Sequence, residues 1–193
     1  MSFPVLNIEL PAWISAMFLD GDRAYATDEA RMDLALELAA RNVSEGTGGP
    51  FGAAIFDMDS GRLIAPGVNV VVPSRWSGGH AEMVAFAIAQ QRLKSHDLGA
   101  DGMPRCELFA STEPCAMCLG ATPWSGVRRI VCAARDEDAR ALGFDEGSKP
   151  SDWVGQLGAR GIAVLRDMRR EEAVRILKDY VERGGPVYNG RAS

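Results

Sequence analysis

The chain reads GGHAEMVAF at residues 78–86 and EPCAMC at residues 113–118. The first stretch holds a His-x-Glu at the start of a predicted helix, and the second holds a Cys-x-x-Cys directly after a proline. Imidazole nitrogen and thiolate sulfur are the ligands that a zinc ion favours in proteins. The two stretches therefore predict that His80, Cys115 and Cys118 bind one metal ion.

The number of available ligands indicates which kind of zinc site this is. A structural site normally has four protein ligands, whereas a catalytic site has three and keeps one position open. The second of the two histidines, His96, lies past the end of the predicted helix that starts at His80, too far along a regular helix to reach the same ion. Glu82 could take a proton from a water at the open position, because zinc lowers the pKa of a bound water to about 7. The site is predicted to be catalytic.

A Cys-x-x-Cys pair has two alternative interpretations. A thioredoxin-like redox pair would oxidise readily and bind no zinc. A zinc-stabilised binding module would have a closed site of four ligands and no turnover. The upstream His-x-Glu and the proline before the cysteines favour neither, since together with Cys-x-x-Cys they form the pattern of the zinc-dependent base deaminases.

Length and composition are those of one globular domain. The chain has 193 residues, of which 47% are apolar and 24% charged. Its net charge of -5 disfavours a nucleic-acid backbone as partner. No apolar run is long enough to span a membrane, and we expect a cytoplasmic protein because the N-terminus lacks the basic region of a signal peptide. Four cysteines without a secretory signal disfavour a disulfide framework, and Cys106 and Cys132 are expected to be buried on strands.

Periodicity along the chain predicts alternating strands and helices. Residues 28–42 and 168–185 have helical spacing, and further helices are expected from His80 to Ser95 and from Ala116, where Pro123 should end or kink the helix. Strands are expected as a pair within residues 51–72 joined by a turn at 59–61, and then at 106–111, 128–134 and 161–165. This order predicts a mixed sheet between helical layers, with residues 1–25 as an extension that packs on a domain of residues 26–193.

With these motifs the sequence resembles the cytidine/deoxycytidylate deaminase superfamily, and within it the bacterial guanine deaminases, some of which also act on the triazine ammeline. The resemblance covers about residues 28–189 and includes GGPFGAAI, HAEMVAF, STEPCAMCLGA, AARDEDARALGFDEG and PVYNG. It implies a three-layer α/β/α fold with a five-stranded mixed sheet, one zinc ion per chain and a homodimer. It also implies hydrolytic deamination of guanine to xanthine and ammonia.

The resemblance further implies roles for individual residues. It predicts base stacking by Phe51, a hydrogen bond to the purine from Asn69, a pocket wall at Trp124, a second proton shuttle at Glu146 beside Glu82, and closure of the site by Tyr188. The acidic net charge disfavours adenosine in tRNA as substrate, while cytosine stays an alternative base. Gly78 and Gly79 depart from the pattern of some relatives, and glycine there could widen the pocket.

Overall fold

The structure is a computed structural model that describes residues 3, 5, 7–18, 23–187 and 189. These residues form five strands: β1 Gly52–Asp57, β2 Leu63–Val68, β3 Cys106–Thr112, β4 Arg129–Ala134 and β5 Ala163–Leu165. Within the same residues the helices are α1 Ala12–Met17, α2 Asp28–Ser44, α3 Val71–Ser74, α4 Ala81–Leu93, α5 Ala116–Ser125, α6 Asp136–Ala141, α7 Trp153–Gly158 and α8 Arg170–Glu182.

The strands form one mixed sheet in the order β2-β1-β3-β4-β5. The hairpin of β1 and β2 is antiparallel, and β1 also pairs antiparallel with β3. The pairs β3 with β4 and β4 with β5 are parallel. Parallel neighbours need a crossover connection, and α5 supplies the one between β3 and β4. The predicted five-stranded mixed sheet is confirmed.

Helices cover both faces of this sheet. Successive strand residues point to opposite faces, and on β3 Phe109 belongs to an apolar cluster that includes Leu38 of α2 and Leu177 of α8. Its neighbour Leu108 belongs to a second apolar cluster that includes Ala85 of α4. The predicted three-layer α/β/α fold is therefore confirmed. No described helix is long and apolar enough to cross a membrane.

The predicted N-terminal extension, residues 1–25, packs on the domain where the structure describes it. Ile14 of α1 is 1% exposed and belongs to the core cluster of α2 and α8. The indole Nε1 of Trp13 donates a hydrogen bond of 3.1 Å to Oγ1 of Thr47, which follows α2. A domain boundary at residue 25 stays a prediction.

Helix α5 continues past Pro123, which was expected to end or kink it. Pro123 does not end the helix, because α5 runs to Ser125 and ends where Gly126 takes a φ of 84°. A proline in the last turn removes one N–H donor only, and the hydroxyl of Thr122 donates to the carbonyl of Cys118 at 2.8 Å in the same turn. The short helices α3 and α7 were not predicted at all, because neither is long enough to show a helical period.

A buried ion-pair network joins α2 to the sheet. Glu107 of β3 is fully buried and its carboxylate accepts from Arg31 of α2 and, at 3.0 Å, from Arg129 of β4. Arg129 also pairs with Asp28 at the start of α2. Burial raises the pKa of Glu107 above its usual value, although the guanidinium groups of Arg31 and Arg129 oppose this shift. The network fixes the helix against two strands at the edge of the molecule where α2 begins.

Candidate active site

Two helix N-termini carry the predicted metal ligands. His80 directly precedes α4 and Cys115 directly precedes α5, and both have extended backbone angles. Cys118 lies in the first turn of α5. Helix N-termini present unpaired N–H groups and a positive dipole end, which stabilise anionic groups such as thiolates. The predicted helix of residues 80–95 is thus present, and it begins one residue later and ends two residues earlier than predicted.

The structure brings the three ligands together. Nδ1 of His80 lies 3.4 Å from Sγ of Cys115 and 3.7 Å from Sγ of Cys118. All three ligand atoms lie within 4.8 Å of one another. Among the described residues this is the group that could hold a metal ion, and His96 does not belong to it. The predicted convergence of His80, Cys115 and Cys118 is present in the structure.

The electrostatics of the three groups favour a bound cation. A hydrogen bond from Cys118 lowers the pKa of the Cys115 thiol to about 4, with a further contribution from His80, although burial opposes the shift. The same hydrogen bond and burial raise the pKa of Cys118. Burial disfavours a charged His80 ring, but its hydrogen bond with Cys115 raises its pKa overall. The surroundings of Cys115 therefore favour its thiolate form, which is the form that binds a metal.

The ligand set fits zinc by its chemistry. One imidazole nitrogen and two sulfurs are the donor types of zinc sites, and hard cations such as Mg²⁺ or Ca²⁺ would need oxygen ligands instead. A divalent cation would neutralise the thiolate of Cys115 and pull the proton from Cys118. Three protein ligands also leave the fourth position of a tetrahedral site for another group. The residues present fit a catalytic zinc ion.

Three buried glutamates line the same cavity as His80 and Cys115: Glu82, Glu113 and Glu146. Glu113 is paired with Arg166, whereas Glu82 and Glu146 lack an arginine partner among the described residues. Glu82, in the first turn of α4, is 8% exposed, and burial together with the charge of Cys115 raises its pKa to about 7. Glu146 is 6% exposed, and burial, Cys115 and Glu82 raise its pKa to about 8. Carboxyl groups with pKa values near neutrality in a cleft are typical of proton-transfer sites.

Glu146 lies on a short loop after α6, and this loop contacts the first residue of α5 next to the metal ligand Cys115. The backbone N–H of Ala116 donates to the carbonyl of Glu146 at 2.8 Å. Gly147 follows with a φ of 69°, and a Cβ there would lie 2.9 Å from Cβ of Ala116. A glycine at this position therefore permits the close approach of the loop to α5. The side chain of Asp145 accepts from the N–H of Gly147 at 2.9 Å and shapes the turn.

Two of the residues expected to bind substrate also line this cavity. Phe51, at the start of β1, packs edge-to-face on Phe144 with ring centroids 5.1 Å apart. Asn69 follows β2, and its Oδ1 accepts from the N–H of Val71 at 3.3 Å. No described residue accepts from the amide Nδ2 of Asn69, so this donor is available to a ligand in the cavity.

The remaining predicted residues lie elsewhere. Trp124 does not line this cavity: its side chain is 83% exposed and borders a separate shallow groove next to α7. The helical pattern placed Trp124 on α5 but could not show that it faces solvent in the single chain. Tyr188 lies outside the described residues.

Gly78 does not line the cavity either, because it lies under the ring of Trp76, which a Cβ would approach to 2.4 Å. Gly79 is also absent from the wall, and an effect of the two glycines on the width of the pocket stays a prediction.

Residues 25–134 match the family model of the cytidine and deoxycytidylate deaminase zinc-binding region. The matched range includes all three metal ligands and Glu82. The chain belongs to this deaminase family. Zinc is accordingly its cofactor, and the family assignment excludes the alternative of a thioredoxin-like redox pair at Cys115 and Cys118.

Within this family the chain is similar to proteins that are named guanine deaminases. It is 40% identical to a guanine deaminase from Bacillus subtilis over 118 residues, which cover 61% of this chain and 71% of that protein. A solved guanine deaminase from Nitrosomonas europaea is 50% identical, with a TM-score of 0.87 over 91% of this chain and 96% of its own. Another solved structure, a complex with 2,6-diaminopurine, is 49% identical, with a TM-score of 0.90 over 97% of this chain and 98% of its own.

Sequence reasoning missed several residues of the cavity wall. Phe144 directly precedes the acidic residues of the GFDEG motif, so its position was available from the motif itself. Thr112 precedes Glu113 of the EPCAMC stretch, and its hydroxyl is buried without a hydrogen-bond partner among the described residues. Tyr180 of α8 comes from a distant part of the chain, and no local pattern distinguishes it from an ordinary packing residue, whereas Pro186 begins the PVYNG motif and its position was available from that motif.

Proposed function

We propose that this chain hydrolyses guanine to xanthine and ammonia. The observation that carries the proposal is the presence of Glu82 and Glu146, both buried, in one cavity with the ligands of a catalytic zinc ion. Deamination of an aminopurine needs two proton transfers, one from the water that adds and one to the amine that leaves. The similarity to proteins named guanine deaminases supports guanine as the base.

When bound, a zinc ion makes a water nucleophilic near neutral pH, so that the water can add to C2 of guanine, the carbon that bears the exocyclic amine. The carboxylate of Glu82 takes the proton of this water and delivers it to the adjacent ring nitrogen. Its position in the first turn of α4, two residues after His80, keeps it beside the metal ligands without being one of them. Its raised pKa suits a group that both accepts and donates a proton near pH 7.

Glu146, which lines the same cavity, completes the reaction. In its protonated form it donates to the exocyclic nitrogen, the C2–N bond breaks, and ammonia leaves. Burial favours the protonated form of this carboxyl, which is the form needed here. As the C2–N bond breaks, the hydroxyl added at C2 gives its proton to Glu82 and becomes the carbonyl of xanthine. Glu82 passes this proton to Glu146, so both carboxyl groups return to their starting protonation. The net change is the addition of one water and the loss of one ammonia.

Substrate binding is assigned to Phe51 and Asn69. The partly buried ring of Phe51 presents an aromatic surface on which a purine can stack. The free Nδ2 donor of Asn69 can pair with an acceptor nitrogen or oxygen of the purine edge. These contacts select a planar base with acceptors on its edge. Ammeline shares the planar shape and the amine on a ring carbon, and it is the second substrate that we propose.

Ammonia release from the zinc-replete protein tests the proposal. Guanine, ammeline, cytosine and a tRNA anticodon stem-loop are compared in parallel, with xanthine quantified by chromatography in the guanine reaction. We expect the highest kcat/KM for guanine. Turnover of cytosine or of adenosine in the RNA, with none of guanine, would keep the zinc chemistry and overturn the substrate. Bound zinc without ammonia from any of them would favour the binding module.

We also propose that the chain forms a homodimer. The exposed apolar side chains of Met117 and Trp124 on α5, 40% and 83% exposed, supply a surface that a second copy would cover. Light scattering coupled to size-exclusion chromatography is expected to give twice the chain mass of 20.7 kDa. A Trp124→Ala variant should shift this equilibrium towards the monomer, whereas a wild-type monomer at all concentrations would contradict the proposal.

A further inference from the structure

A fully buried amide lies directly behind the cavity wall. Asn42, near the C-terminal end of α2, is 0% exposed. Its Nδ2 donates to the backbone carbonyl of Gly49 at 2.8 Å and to that of Asn69 at 2.9 Å. Gly49 and Asn69 both line the cavity, although Asn42 itself does not. One side chain thus holds together the two backbone segments that form this part of the substrate site.

A second pair of residues fixes the orientation of that amide. Oγ1 of Thr47 donates to Oδ1 of Asn42 at 2.7 Å, and Nε1 of Trp13 donates to Oγ1 of Thr47 at 3.1 Å. An indole N–H is a donor only, so Thr47 must accept from Trp13 and use its own hydrogen for Asn42. This order leaves both hydrogens of the Asn42 amide for the two carbonyls. The chain of donors therefore runs in one direction, from the N-terminal helix α1 to Asn69.

Gly48 and Gly49, in the turn after Thr47, allow the backbone to pack closely against Asn69. A Cβ on Gly48 would lie 1.9 Å from the carbonyl oxygen of Asn69 and 2.7 Å from Nδ2 of Asn42. A Cβ on Gly49 would lie 3.1 Å from Oδ1 of Asn69. The turn of Gly48 and Gly49 therefore lies against both the backbone and the side chain of Asn69. A shift of this turn would displace the amide that faces the substrate.

We propose that Asn42 is a positioning residue for Asn69, and that Trp13 and Thr47 set the orientation in which Asn42 does so. This inference rests on the proposed function, in which Nδ2 of Asn69 binds the base. It assigns the described part of the N-terminal extension a role in substrate affinity. A contribution to folding alone would affect stability without acting through the side chain of Asn69.

A double-mutant cycle separates these two roles. Thr47→Val removes the hydroxyl at nearly constant shape, and Asn42→Asp removes the two donors of the amide. Each is made in the wild type and in an Asn69→Ala background, and kcat and KM for guanine are measured. We expect each to raise KM about tenfold, the effect of one net hydrogen bond, with kcat unchanged. In the Asn69→Ala background we expect no further increase in KM.

Two matched variants serve as controls. Thr47→Ser keeps the hydroxyl and should retain the wild-type KM. Trp13→Phe removes the N–H and replaces the indole by a smaller aromatic ring, and should raise KM less than Thr47→Val because Thr47 can still donate. If Asn42→Asp does not fold, as judged by its circular dichroism, Thr47→Val and Trp13→Phe carry the test.

Equal increases in KM in both backgrounds, or an unchanged KM for Thr47→Val, would overturn the positioning role. Isothermal titration with 2,6-diaminopurine gives the same cycle as dissociation constants and needs no turnover. A wild-type protein that binds this base but does not deaminate guanine would refute the proposed reaction and leave the positioning role to be decided by the titrations. The two failures are therefore distinguishable.

Discussion

The backbone N–H of Ala116 donates a hydrogen bond of 2.8 Å to the backbone carbonyl of Glu146. Ala116 directly follows the metal ligand Cys115, so this one bond ties the loop of Glu146 to the helix that carries two of the ligands. The carboxyl group of Glu146 consequently reaches the reaction centre from a fixed backbone position. Its reach depends on the length of its own side chain.

Variants of Glu146 test whether its backbone position is fixed. Glu146→Gln is expected to lower kcat for guanine by about 10²-fold, the cost of losing one proton-transfer group. Glu146→Asp keeps the carboxyl but holds it back by one methylene, so it should recover only part of this loss. Steady-state kinetics on proteins of equal zinc content measure both. An aspartate variant with the wild-type kcat would show that the loop adjusts and is not held by Ala116.

Glu82 is expected to be the more sensitive of the two carboxylates, because it handles the proton of the attacking water. Glu82→Gln preserves size and hydrogen bonding but cannot accept a proton, and should lower kcat by about 10²- to 10⁴-fold. Zinc content and circular dichroism are the controls, since Glu82 is not a ligand. A Glu82→Gln protein with full zinc content that deaminates guanine at the wild-type rate would refute its role.

Metal removal should abolish activity reversibly. Dialysis against a chelator is expected to remove zinc and turnover together, and added Zn²⁺ should restore both. Cys118→Ser should reduce the zinc content below one ion per chain because it removes one of three ligands. Cys106→Ser is the matched control, because Cys106 is a buried cysteine on β3 outside the metal group. The zinc content of this variant should equal that of the wild type.

The stability of the fold is expected to depend on Asp28 in a pH-dependent way. The hydrogen bond from Arg129 holds the pKa of Asp28 below its usual value of 3.8, although burial opposes the shift. A carboxyl with a lowered pKa in the folded state stabilises the protein above the unfolded pKa, and this contribution disappears as the pH falls through the folded pKa. Urea unfolding should therefore show Asp28→Asn less stable than the wild type at neutral pH, with a difference that shrinks below pH 3.8.

The exposed Asp101, changed to Asn, is the control for this measurement and should unfold like the wild type at each pH. A deficit of Asp28→Asn that stays constant through the acid range would show that lost packing, and not the ion pair with Arg129, causes it.

The sequence contained enough to predict the layers of the fold and the metal ligands. Buried strands such as β3 show as short apolar runs, and His80 and Cys115 stand out through the His-x-Glu and Pro-Cys-x-x-Cys motifs. Glu146 was predicted only through family resemblance, since a GFDEG turn by itself is typical of a surface loop. Its approach to Ala116 is a tertiary contact that no local pattern encodes.

Other features depended on tertiary structure in the same way. Trp124 lies on the predicted helix, but the direction of its side chain depends on how α5 packs, and it faces solvent. Asn42 ends a helical stretch and looked like an ordinary helix residue. Its function follows only from the folding of Gly49 and Asn69 onto it, from elsewhere in the chain.

Isotope tracing tests the central claim most directly. Zinc-replete protein is incubated with guanine in water labelled with oxygen-18, and xanthine and ammonia are quantified together, with the xanthine analysed by mass spectrometry. Hydrolysis of guanine at C2 predicts one ammonia for each xanthine and one labelled oxygen in each xanthine. Folded protein with zinc bound that forms no xanthine, or xanthine without the label, would contradict it.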